Sequence, residues 1–363
     1  MRIGYHAPLP PAPTGVADYA QALFDALGAA HAEPAAGARQ ADAHLYQFGN
    51  NPLHRPVYQR FLQQPGVALL HDANLHHFYL GMLSREQYIG EFTRQYGDWY
   101  SAFAEQAWEQ RAVSGADPRY FRFPMLGEVA ARATRIVVHN RAAQRLVASH
   151  GGAGKSVIIP HLVTPPPEVP AFETLHLRHC HALTGRTYLL AVFGHLRESK
   201  RLGPVLRAFR QARRREPSLR LLIAGSFVST NYAAALDLDQ EGVLRTGYLR
   251  EPDFWRWASA VDACINLRYP SCGETSGISM RLMSLGKPVL VTAGEEHAAF
   301  PPSACLPIEP GPAEQAHLEE WMVQLAWHRD WGAHIGEAAA AHLRTHHAPS
   351  QVARQFLDVL RQP

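Results

Sequence analysis

The sequence has little lysine, little cysteine and no long hydrophobic run. Its 363 residues contain only three lysines, Lys155, Lys200 and Lys287, so arginine carries nearly all of the positive charge. No apolar run reaches the roughly 18–20 residues that a membrane-spanning helix requires, so any membrane contact is expected to be peripheral. The formal net charge of +3 is small, which gives no indication of binding to nucleic acid.

The spacing of the cysteines does not suggest a metal site. Cys180, Cys264, Cys272 and Cys305 lack metal-ligand spacing, and two of them fall in predicted strands. This pattern is typical of reduced, buried thiols in a cytoplasmic protein. The first five residues enter a predicted strand directly, so no signal peptide is indicated. We therefore expect a cytoplasmic protein that is at most peripheral at the inner face of the membrane.

Short apolar strands alternate with helical segments in two successive halves of the chain. In the first half, strands are predicted at residues 2–5, 44–47, 67–70, 135–138 and 157–159. In the second half, they are predicted at residues 188–193, 219–224, 243–245, 263–267, 289–292 and 305–308. This alternation predicts an α/β fold with two doubly wound, Rossmann-like domains, in which helices cover both faces of each parallel sheet.

The domain boundaries follow from a proline-rich segment between the two halves. Residues 161–185 contain a run of three prolines at 165–167 and show no clear period. We predict an N-terminal domain over residues 1–164, a linker over 165–186 and a C-terminal domain over 187–345. Residues 346–363 are predicted to form a C-terminal helix that packs back toward the N-terminal domain.

The segment from residue 263 to residue 292 is the most informative part of the sequence. A strand-like run breaks at Pro270, and Glu274 follows in a glycine-flanked loop. An amphipathic helix and a Gly-Lys-Pro turn then lead into a new strand. Backbone N–H groups at the start of such a helix favour phosphate, and the loop carboxylate can accept hydrogen bonds from sugar hydroxyls. The arrangement predicts a site for a sugar that is attached to a phosphate.

Further motifs accompany this segment along the chain. They are residues 193–200, 217–225, 246–249, 274–277 and 286–289. In this order they resemble the retaining glycosyltransferases of family 4, which have the GT-B fold, and in particular a subgroup with a Gly-Glu-Thr-Ser-Gly donor-site motif. The resemblance covers nearly the whole chain and is strongest from residue 188 to residue 292. It implies two Rossmann-like domains that face each other across a cleft, the first on the acceptor side and the second holding a nucleotide-sugar donor.

The resemblance also implies roles for individual residues. Lys200 would contact the donor diphosphate and stabilise the leaving group, while Glu274 and His71 would hold the transferred sugar, and these three are the catalytic candidates. The donor-binding candidates are Gly15, Val16, Gly194, His195, Arg197, Gly225, Gly247, Tyr248, Leu249, Thr275, Ser276, Gly277 and Arg281. The candidates on the acceptor or sugar side are Asn50, Asn51, His54 and Asp72. No bound metal and no other cofactor is expected, because GT-B enzymes generally need no metal.

Two positions depart from the pattern of the family. His195 stands where the family usually has arginine, so diphosphate binding would depend more on Lys200 and Arg197. Arg281 stands where a ribose-binding glutamate is expected, which leaves the recognition of ribose unexplained.

A histidine-rich stretch leaves a second interpretation open. His71, Asp72, His76 and His77 follow a predicted strand and include residue types that bind metals. The alternative is that His71 contacts the sugar, whereas His76 and His77 belong to a helix and have no special chemistry.

We therefore predict a retaining, metal-independent glycosyltransferase. It would move a sugar from a UDP- or GDP-linked donor to a hydroxyl of a saccharide, a lipid-linked saccharide or another acceptor, and the resemblance suggests surface polysaccharide synthesis. Two alternatives stay open: a non-catalytic nucleotide- or sugar-binding protein on a GT-B scaffold, and a GT-B epimerase that acts on nucleotide sugars. The base and sugar of the donor, the linkage formed and the oligomeric state also stay open.

Overall fold

The chain divides into two compact units in the computed structural model. Unit 1 comprises Met1–Thr164, Pro270–Thr275 and His346–Pro363, and unit 2 comprises Pro165–Tyr269 and Ser276–Thr345. The structure describes residues 1–115, 117–294, 297–298 and 300–362. Ala116, Glu295, Glu296, Ala299 and Pro363 fall within the predicted domains but lie outside the described residues.

Unit 1 is built on a six-stranded parallel sheet with the order β2-β1-β3-β4-β5-β6. Its strands are β1 (Arg2–His6), β2 (Glu33–Ala36), β3 (Ala43–Phe48), β4 (Val67–Leu70), β5 (Ile136–Val138) and β6 (Ser156–Ile158). Five of them confirm predicted strands to within one residue at each end. The edge strand β2 is absent from the prediction because its four residues are mostly exposed and include Pro34, so they show no apolar run.

Helices give this sheet a hydrophobic core on each face. They are α1 (Gly15–Ala29), α2 (Arg55–Gln63), α3 (His76–Met82), α4 (Arg85–Tyr96), α5 (Ser101–Glu109), α6 (Gly127–Arg132) and α7 (Arg141–Val147). Successive side chains of a strand point to opposite faces. In β4, Ala68 and Leu70 therefore join one core, while Val67 and Leu69 join the other.

Unit 2 has its own six-stranded parallel sheet, with the order β12-β11-β10-β7-β8-β9. Its strands are β7 (Tyr188–Phe193), β8 (Leu219–Ala224), β9 (Val243–Gly247), β10 (Ala263–Asn266), β11 (Val289–Thr292) and β12 (Leu306–Ile308). Its helices are α8 (Ala171–Cys180), α9 (Leu202–Arg215), α10 (Thr230–Ala234), α11 (Glu251–Ala260), α12 (Gly277–Ser284), α13 (Glu314–Trp327) and α14 (Arg329–His346). All six strands confirm predicted strands to within two residues.

The segment predicted as a linker contains helix α8, which belongs to unit 2. None of the residues of α8 is fully buried, so the sequence shows no apolar face at helical spacing. The helix is nevertheless anchored, because Arg178 donates a hydrogen bond to Ala260 O at 2.7 Å and forms an ion pair with Asp262 at 3.3 Å.

The last helix, α15 (Pro349–Arg361), belongs to unit 1 and packs on α1. Its apolar face includes the buried residues Val352, Phe356 and Leu360, which join the same core as Leu23 of α1.

The two strand orders confirm the predicted α/β fold class with two doubly wound domains. In unit 1, the strand order reverses direction between the neighbouring strands β1 and β3, and in unit 2 it reverses direction between β7 and β10. In open parallel sheets, ligands bind outside the carboxyl ends of the strands at such a switch point. The ends of these four strands are therefore where functional side chains are expected.

Candidate functional site

The side chain of Lys200 bridges the two strands at the switch point of unit 2. Its Nζ donates a hydrogen bond to Phe193 O, at the end of β7, at 3.0 Å, and another to Asn266 Oδ1, at the end of β10. The lysine is only 3% exposed. These carbonyl oxygens orient the ammonium group, so the fold places it at the carboxyl edge of the sheet.

Asn266 connects this lysine to the start of α12. Its Nδ2 donates to Ser276 Oγ at 2.7 Å and to Ser279 Oγ at 2.6 Å. Ser276 is the N-cap residue of α12, and Gly277 is the first residue of the helix. Backbone N–H groups at a helix N-terminus attract anions. Sequence reasoning missed Asn266, although a polar residue at the end of a buried strand was a usable signal.

Glycines bring the backbones of β7 and β8 close together beside Lys200. Gly225 has a φ of +151°, and a Cβ atom there would lie 1.8 Å from Gly194 O. Only glycine therefore fits at position 225. A Cβ atom on Gly194 would lie 3.9 Å from Lys200 Nζ, so Gly194 lies beside the ammonium group and Gly225 packs against Gly194.

The loop that follows Gly194 makes this edge more electropositive. His195 and Arg197 are exposed there, next to the buried Lys200. Burial lowers the pKa of His195, and the nearby charges of Arg197 and Lys200 lower it further. His195 is therefore largely neutral at pH 7, and a bound anion would raise its pKa.

The side chain of Arg281 contacts three residues of helix α11. Its guanidinium forms an ion pair with Glu251 and lies over the rings of Phe254 and Trp255, at 3.9 and 4.4 Å from their centroids. Trp255 Nε1 donates to the same carboxylate oxygen of Glu251 at 2.8 Å. Sequence reasoning missed Glu251, an acidic residue that stands two positions after the donor-binding candidates Gly247, Tyr248 and Leu249.

That segment ends β9 on the edge of the sheet. Gly247 is the last residue of β9 and has a φ of +68°, and the side chain of Tyr248 is 70% exposed. Leu249 is half-buried. The segment therefore offers an accessible backbone and an aromatic face close to Glu251 in sequence.

The loop that carries Glu274 packs within unit 1, although the predicted boundaries include it in the C-terminal domain. Ala73 N donates to Cys272 O at 2.8 Å, and Asn140 Nδ2 donates to Gly273 O at 2.9 Å and to Thr275 Oγ1 at 3.1 Å. The carboxylate of Glu274 accepts hydrogen bonds from Cys272 N at 2.6 Å and from Ser271 Oγ at 3.2 Å. Glu274 thus stabilises its own turn, and its contact with a sugar stays a prediction.

Gly15 and Val16 open helix α1 in unit 1. Thr14 is the N-cap residue and accepts a hydrogen bond from Val16 N at 3.3 Å. Among the described residues, apart from its chain neighbours and the backbone of α1, no atom lies within 4 Å of a Cβ atom added at Gly15. The protein's own packing therefore does not require glycine there, which leaves room for a ligand to approach the first turn.

His71 follows β4 and is tied to the neighbouring strand. Its Nε2 lies 2.8 Å from Gln47 Oε1 of β3, and its ring lies edge-on to Tyr19 at 4.8 Å. Burial lowers the pKa of His71 well below its usual value, with smaller contributions from His139, His161 and His54. His71 is therefore neutral at pH 7.

Three of the four candidates on the acceptor side lie after β3, and the fourth, Asp72, lies after β4. Asp72 Oδ2 accepts from Asn50 N at 2.8 Å, and Asn50 Oδ1 accepts from Phe78 N at 2.9 Å. Asn51 accepts from Leu53 N at 3.1 Å, and the buried His54 contacts Gln47 O through Nδ1 at 2.9 Å. The structure brings these residues together, and the bonds show that they shape the loop.

The metal-binding alternative receives no support from the geometry of His76. Its Nδ1 donates to Tyr120 O at 2.9 Å, and its Nε2 contacts Tyr88 Oη at 2.7 Å, so both ring nitrogens serve the buried core. In the part of the chain that the structure describes, no group of three or more histidine, cysteine, aspartate or glutamate side chains could hold a metal ion.

The search for relatives gives matches in structure only. No protein-family model and no curated protein sequence matches the chain. HepE from Anabaena, in complex with UDP and glucose, is similar with a TM-score of 0.66 and 13% identity over 100% of both chains. Sucrose-phosphate synthase from Thermosynechococcus elongatus has a TM-score of 0.65 and 15% identity, over 99% of this chain and 98% of its own.

A third similar structure is WaaG, a glycosyltransferase involved in lipopolysaccharide biosynthesis. It has a TM-score of 0.62 and 13% identity, over 100% of this chain and 99% of its own. None of the described helices is both long and apolar enough to cross a membrane. At these low identities the likeness concerns the fold, and it shows that the chain has the GT-B fold.

Proposed function

We propose that the protein is a retaining glycosyltransferase that moves a sugar from a nucleotide diphosphate sugar to an acceptor hydroxyl. The observation that carries this proposal is the buried ammonium group of Lys200, which Phe193 and Asn266 hold at the switch point of unit 2. A fixed positive charge at this edge suits a diphosphate leaving group, because negative charge grows on that group in the transition state.

The surroundings of Lys200 supply further positive potential. The first turn of α12 presents backbone N–H groups behind the Ser276 cap, and the charged Arg197 stands on the adjoining loop near the largely neutral His195. These groups can stabilise a diphosphate in the way that a bound metal ion does in other transferases. We therefore propose that the reaction needs no metal.

The chemical step that we propose uses the leaving group as the base. The acceptor hydroxyl attacks the anomeric carbon on the face from which the diphosphate departs. The bond from that carbon to the phosphate oxygen breaks, the bond to the acceptor oxygen forms, and the hydroxyl proton passes to the departing phosphate. The anomeric configuration is therefore retained, and no protein nucleophile takes part.

We propose Glu251 as the residue that holds the ribose of the donor. Arg281 and Trp255 fix its carboxylate, and a carboxylate is the group that accepts hydrogen bonds from ribose hydroxyls in other Rossmann-like folds. The neighbouring backbone of residues 247–249 would then contact the base.

In unit 1, we propose two sets of contacts with the donor. His71 and Glu274 contact the transferred sugar, and the backbone N–H groups of Gly15 and Val16 contact the phosphate. HepE binds UDP and UDP-glucose, and WaaG acts in lipopolysaccharide biosynthesis. These similar proteins support UDP-sugars as the first donors to test and surface polysaccharide synthesis as the proposed role.

The first experiment measures which nucleotide diphosphate binds. UDP, GDP and ADP are each titrated into the protein, with and without EDTA, and thermal unfolding is followed. One of them is expected to stabilise the fold by about 2.7 kcal/mol at a hundredfold excess over its Kd, and EDTA is expected to change nothing. Failure of every nucleotide to stabilise the protein would contradict the donor site.

The second experiment follows the sugar. The protein is incubated with the matching nucleotide sugars and saccharide acceptors, and the products are analysed by NMR. Free nucleotide diphosphate together with a product of unchanged anomeric configuration supports the proposal. A sugar altered while still attached to the nucleotide would identify an epimerase instead, and binding without turnover would identify a non-catalytic binding protein.

A further inference from the structure

Three buried or half-buried side chains form a hydrogen-bonded series across the switch point of unit 1. Tyr5 Oη, from β1, lies 2.6 Å from Ala20 O, and Gln47 Nε2, from β3, lies 2.5 Å from Tyr5 Oη. Gln47 Oε1 lies 2.8 Å from Nε2 of His71, which follows β4. Tyr5 and Gln47 are 1% and 0% exposed, whereas His71 is half-buried, so the series runs from the core to an accessible imidazole.

The first member of the series determines where every hydrogen lies. The carbonyl oxygen of Ala20 can only accept, so the Tyr5 hydroxyl must donate its single hydrogen to it. The oxygen of Tyr5 can then only accept from Gln47, which turns the amide nitrogen of Gln47 toward Tyr5 and its oxygen toward His71. Since an amide oxygen cannot donate, Nε2 of His71 carries the hydrogen.

The consequence is a defined tautomer of His71. In a neutral imidazole only one nitrogen carries hydrogen, so Nδ1 of His71 has a lone pair and accepts hydrogen bonds. The neutral form is favoured because burial lowers the pKa of His71, and His139, His161 and His54 act in the same direction.

The histidines around His71 are held differently. His54, His139 and His161 each contact a backbone carbonyl oxygen through Nδ1, at 2.9, 2.9 and 2.8 Å. Among these described neighbours, His71 alone is oriented through Nε2 and by a side chain. That side chain is itself oriented by a tyrosine. Packing one imidazole does not require two further oriented side chains.

We propose that Tyr5 and Gln47 are positioning residues that hold His71 in the Nε2–H tautomer, so that Nδ1 accepts a hydrogen bond from a hydroxyl of the bound sugar. Nδ1 selects a ligand group that is a neutral hydrogen-bond donor. A phosphate or carboxylate oxygen would face the lone pair of Nδ1 and could not donate a hydrogen bond to it. The sugar half of this inference rests on the proposed function, whereas the tautomer does not.

The tautomer is measured by NMR on protein labelled with ¹⁵N in its histidines. Two-bond nitrogen–proton correlations distinguish the two neutral tautomers, and the His71 signals are identified by their absence in His71→Gln. The wild-type protein is expected to show the Nε2–H form. An Nδ1–H form in the wild-type protein would overturn the proposal without reference to any activity.

Two variants test the positioning series. Tyr5→Phe and Gln47→Met remove the tyrosine hydroxyl and the glutamine amide from the series, and the His71 signals are expected to move toward a mixture of tautomers. Tyr58→Phe is the matched control, because Tyr58 is also buried in unit 1 but bonds to Tyr79 Oη at 2.9 Å, outside the series. Unchanged His71 signals in folded Tyr5→Phe and Gln47→Met would overturn the positioning role. If neither variant folds, the tautomer of His71 in the wild-type spectrum decides whether the proposal stands.

The ligand role is tested by kinetics with deoxy donors. Gln47→Met is expected to lower kcat/KM about tenfold, as for the loss of one hydrogen bond. For one donor that lacks a single sugar hydroxyl, kcat/KM of the wild-type protein is expected to fall about tenfold relative to the complete donor. With Gln47→Met, the same deoxy donor is expected to give no further fall in kcat/KM. Equal additional losses in both proteins for every deoxy donor would overturn the hydroxyl contact. If no nucleotide binds at all, the proposed function fails, and a confirmed tautomer then still supports the positioning role.

Discussion

The guanidinium group of Arg281 pairs with the carboxylate of Glu251 while lying over the rings of Phe254 and Trp255. This relationship gives a physical account of the arginine at the position where the resemblance leads us to expect a ribose-binding glutamate. The positive charge holds a carboxylate that comes from another helix.

The first prediction concerns this pair. Glu251→Gln is expected to weaken nucleotide diphosphate binding about tenfold, because an amide is a poorer acceptor for two ribose hydroxyls than a carboxylate. Glu173→Gln is the matched control, since Glu173 also pairs with an arginine, Arg256, on the same unit. Calorimetric titration measures both affinities, and equal affinities for the wild-type protein and Glu251→Gln would contradict the ribose role.

The second prediction concerns Lys200. Lys200→Met keeps the apolar stem and removes the charge, so the transfer rate is expected to fall by about 10²–10³ and the affinity for the nucleotide diphosphate to fall as well. Lys155→Met is the matched control, because the Nζ of Lys155 also donates to backbone carbonyl oxygens, those of Ala130 and Ala131. A rate for Lys200→Met that equals the rate of this control would place the chemistry elsewhere.

The third prediction concerns Glu274. Glu274→Ala removes the acceptor of Cys272 N, which is expected to cost about 1 kcal/mol of stability, and it is expected to reduce turnover more than nucleotide binding. Asp117→Ala is the control, because the carboxylate of Asp117 also accepts a hydrogen bond from a nearby backbone N–H, that of Arg119, at 2.9 Å. If both variants lose the same stability and neither loses turnover, Glu274 is only a turn residue.

The fourth prediction concerns stability at acid pH. Burial lowers the pKa of His54 and of His139 to about 4, below the 6.5 of an unfolded chain. Between about pH 6.5 and pH 4, the unfolded state therefore binds more protons at these histidines than the folded state does. The stabilisation is complete above about pH 6.5 and is lost as the pH falls toward 4, at up to about 1.4 kcal/mol per pH unit for each histidine.

Urea unfolding at pH 7.5, 6.0 and 5.0 measures this loss. His139→Gln is expected to have a shallower pH dependence than the wild-type protein, because one of the buried histidines with a lowered pKa no longer titrates. A free energy of unfolding that is the same at pH 7.5 and pH 5.0 would show that these imidazoles do not resist protonation.

The two units differ in how much the order of elements along the chain says about the candidate residues. Gly194 directly follows the buried strand β7, and Lys200 ends the short helix after it, so their place at the edge of the sheet is a consequence of local order along the chain. Asn50 and His54 also follow a strand, but Asn50 accepts a hydrogen bond from Phe78 N of α3, and His54 contacts Gln47 O of β3. Which polar atom points to a ligand and which supports the backbone depends on contacts that no spacing reveals.

The sequence by itself determined the α/β class, all but one of the strands and the glycines at the ends of β7 and β9, because short-range apolar patterns and backbone conformation decide these features. Only the tertiary structure decided that Asn266 bridges Lys200 and α12, that Glu251 is held by Arg281, and that residues 270–275 pack within unit 1. The hydrogen positions in the series from Tyr5 to His71 were also decided only by the tertiary structure. Each of these features joins residues that are distant along the chain, and hydrogen bonding and ion pairing depend on distance in space.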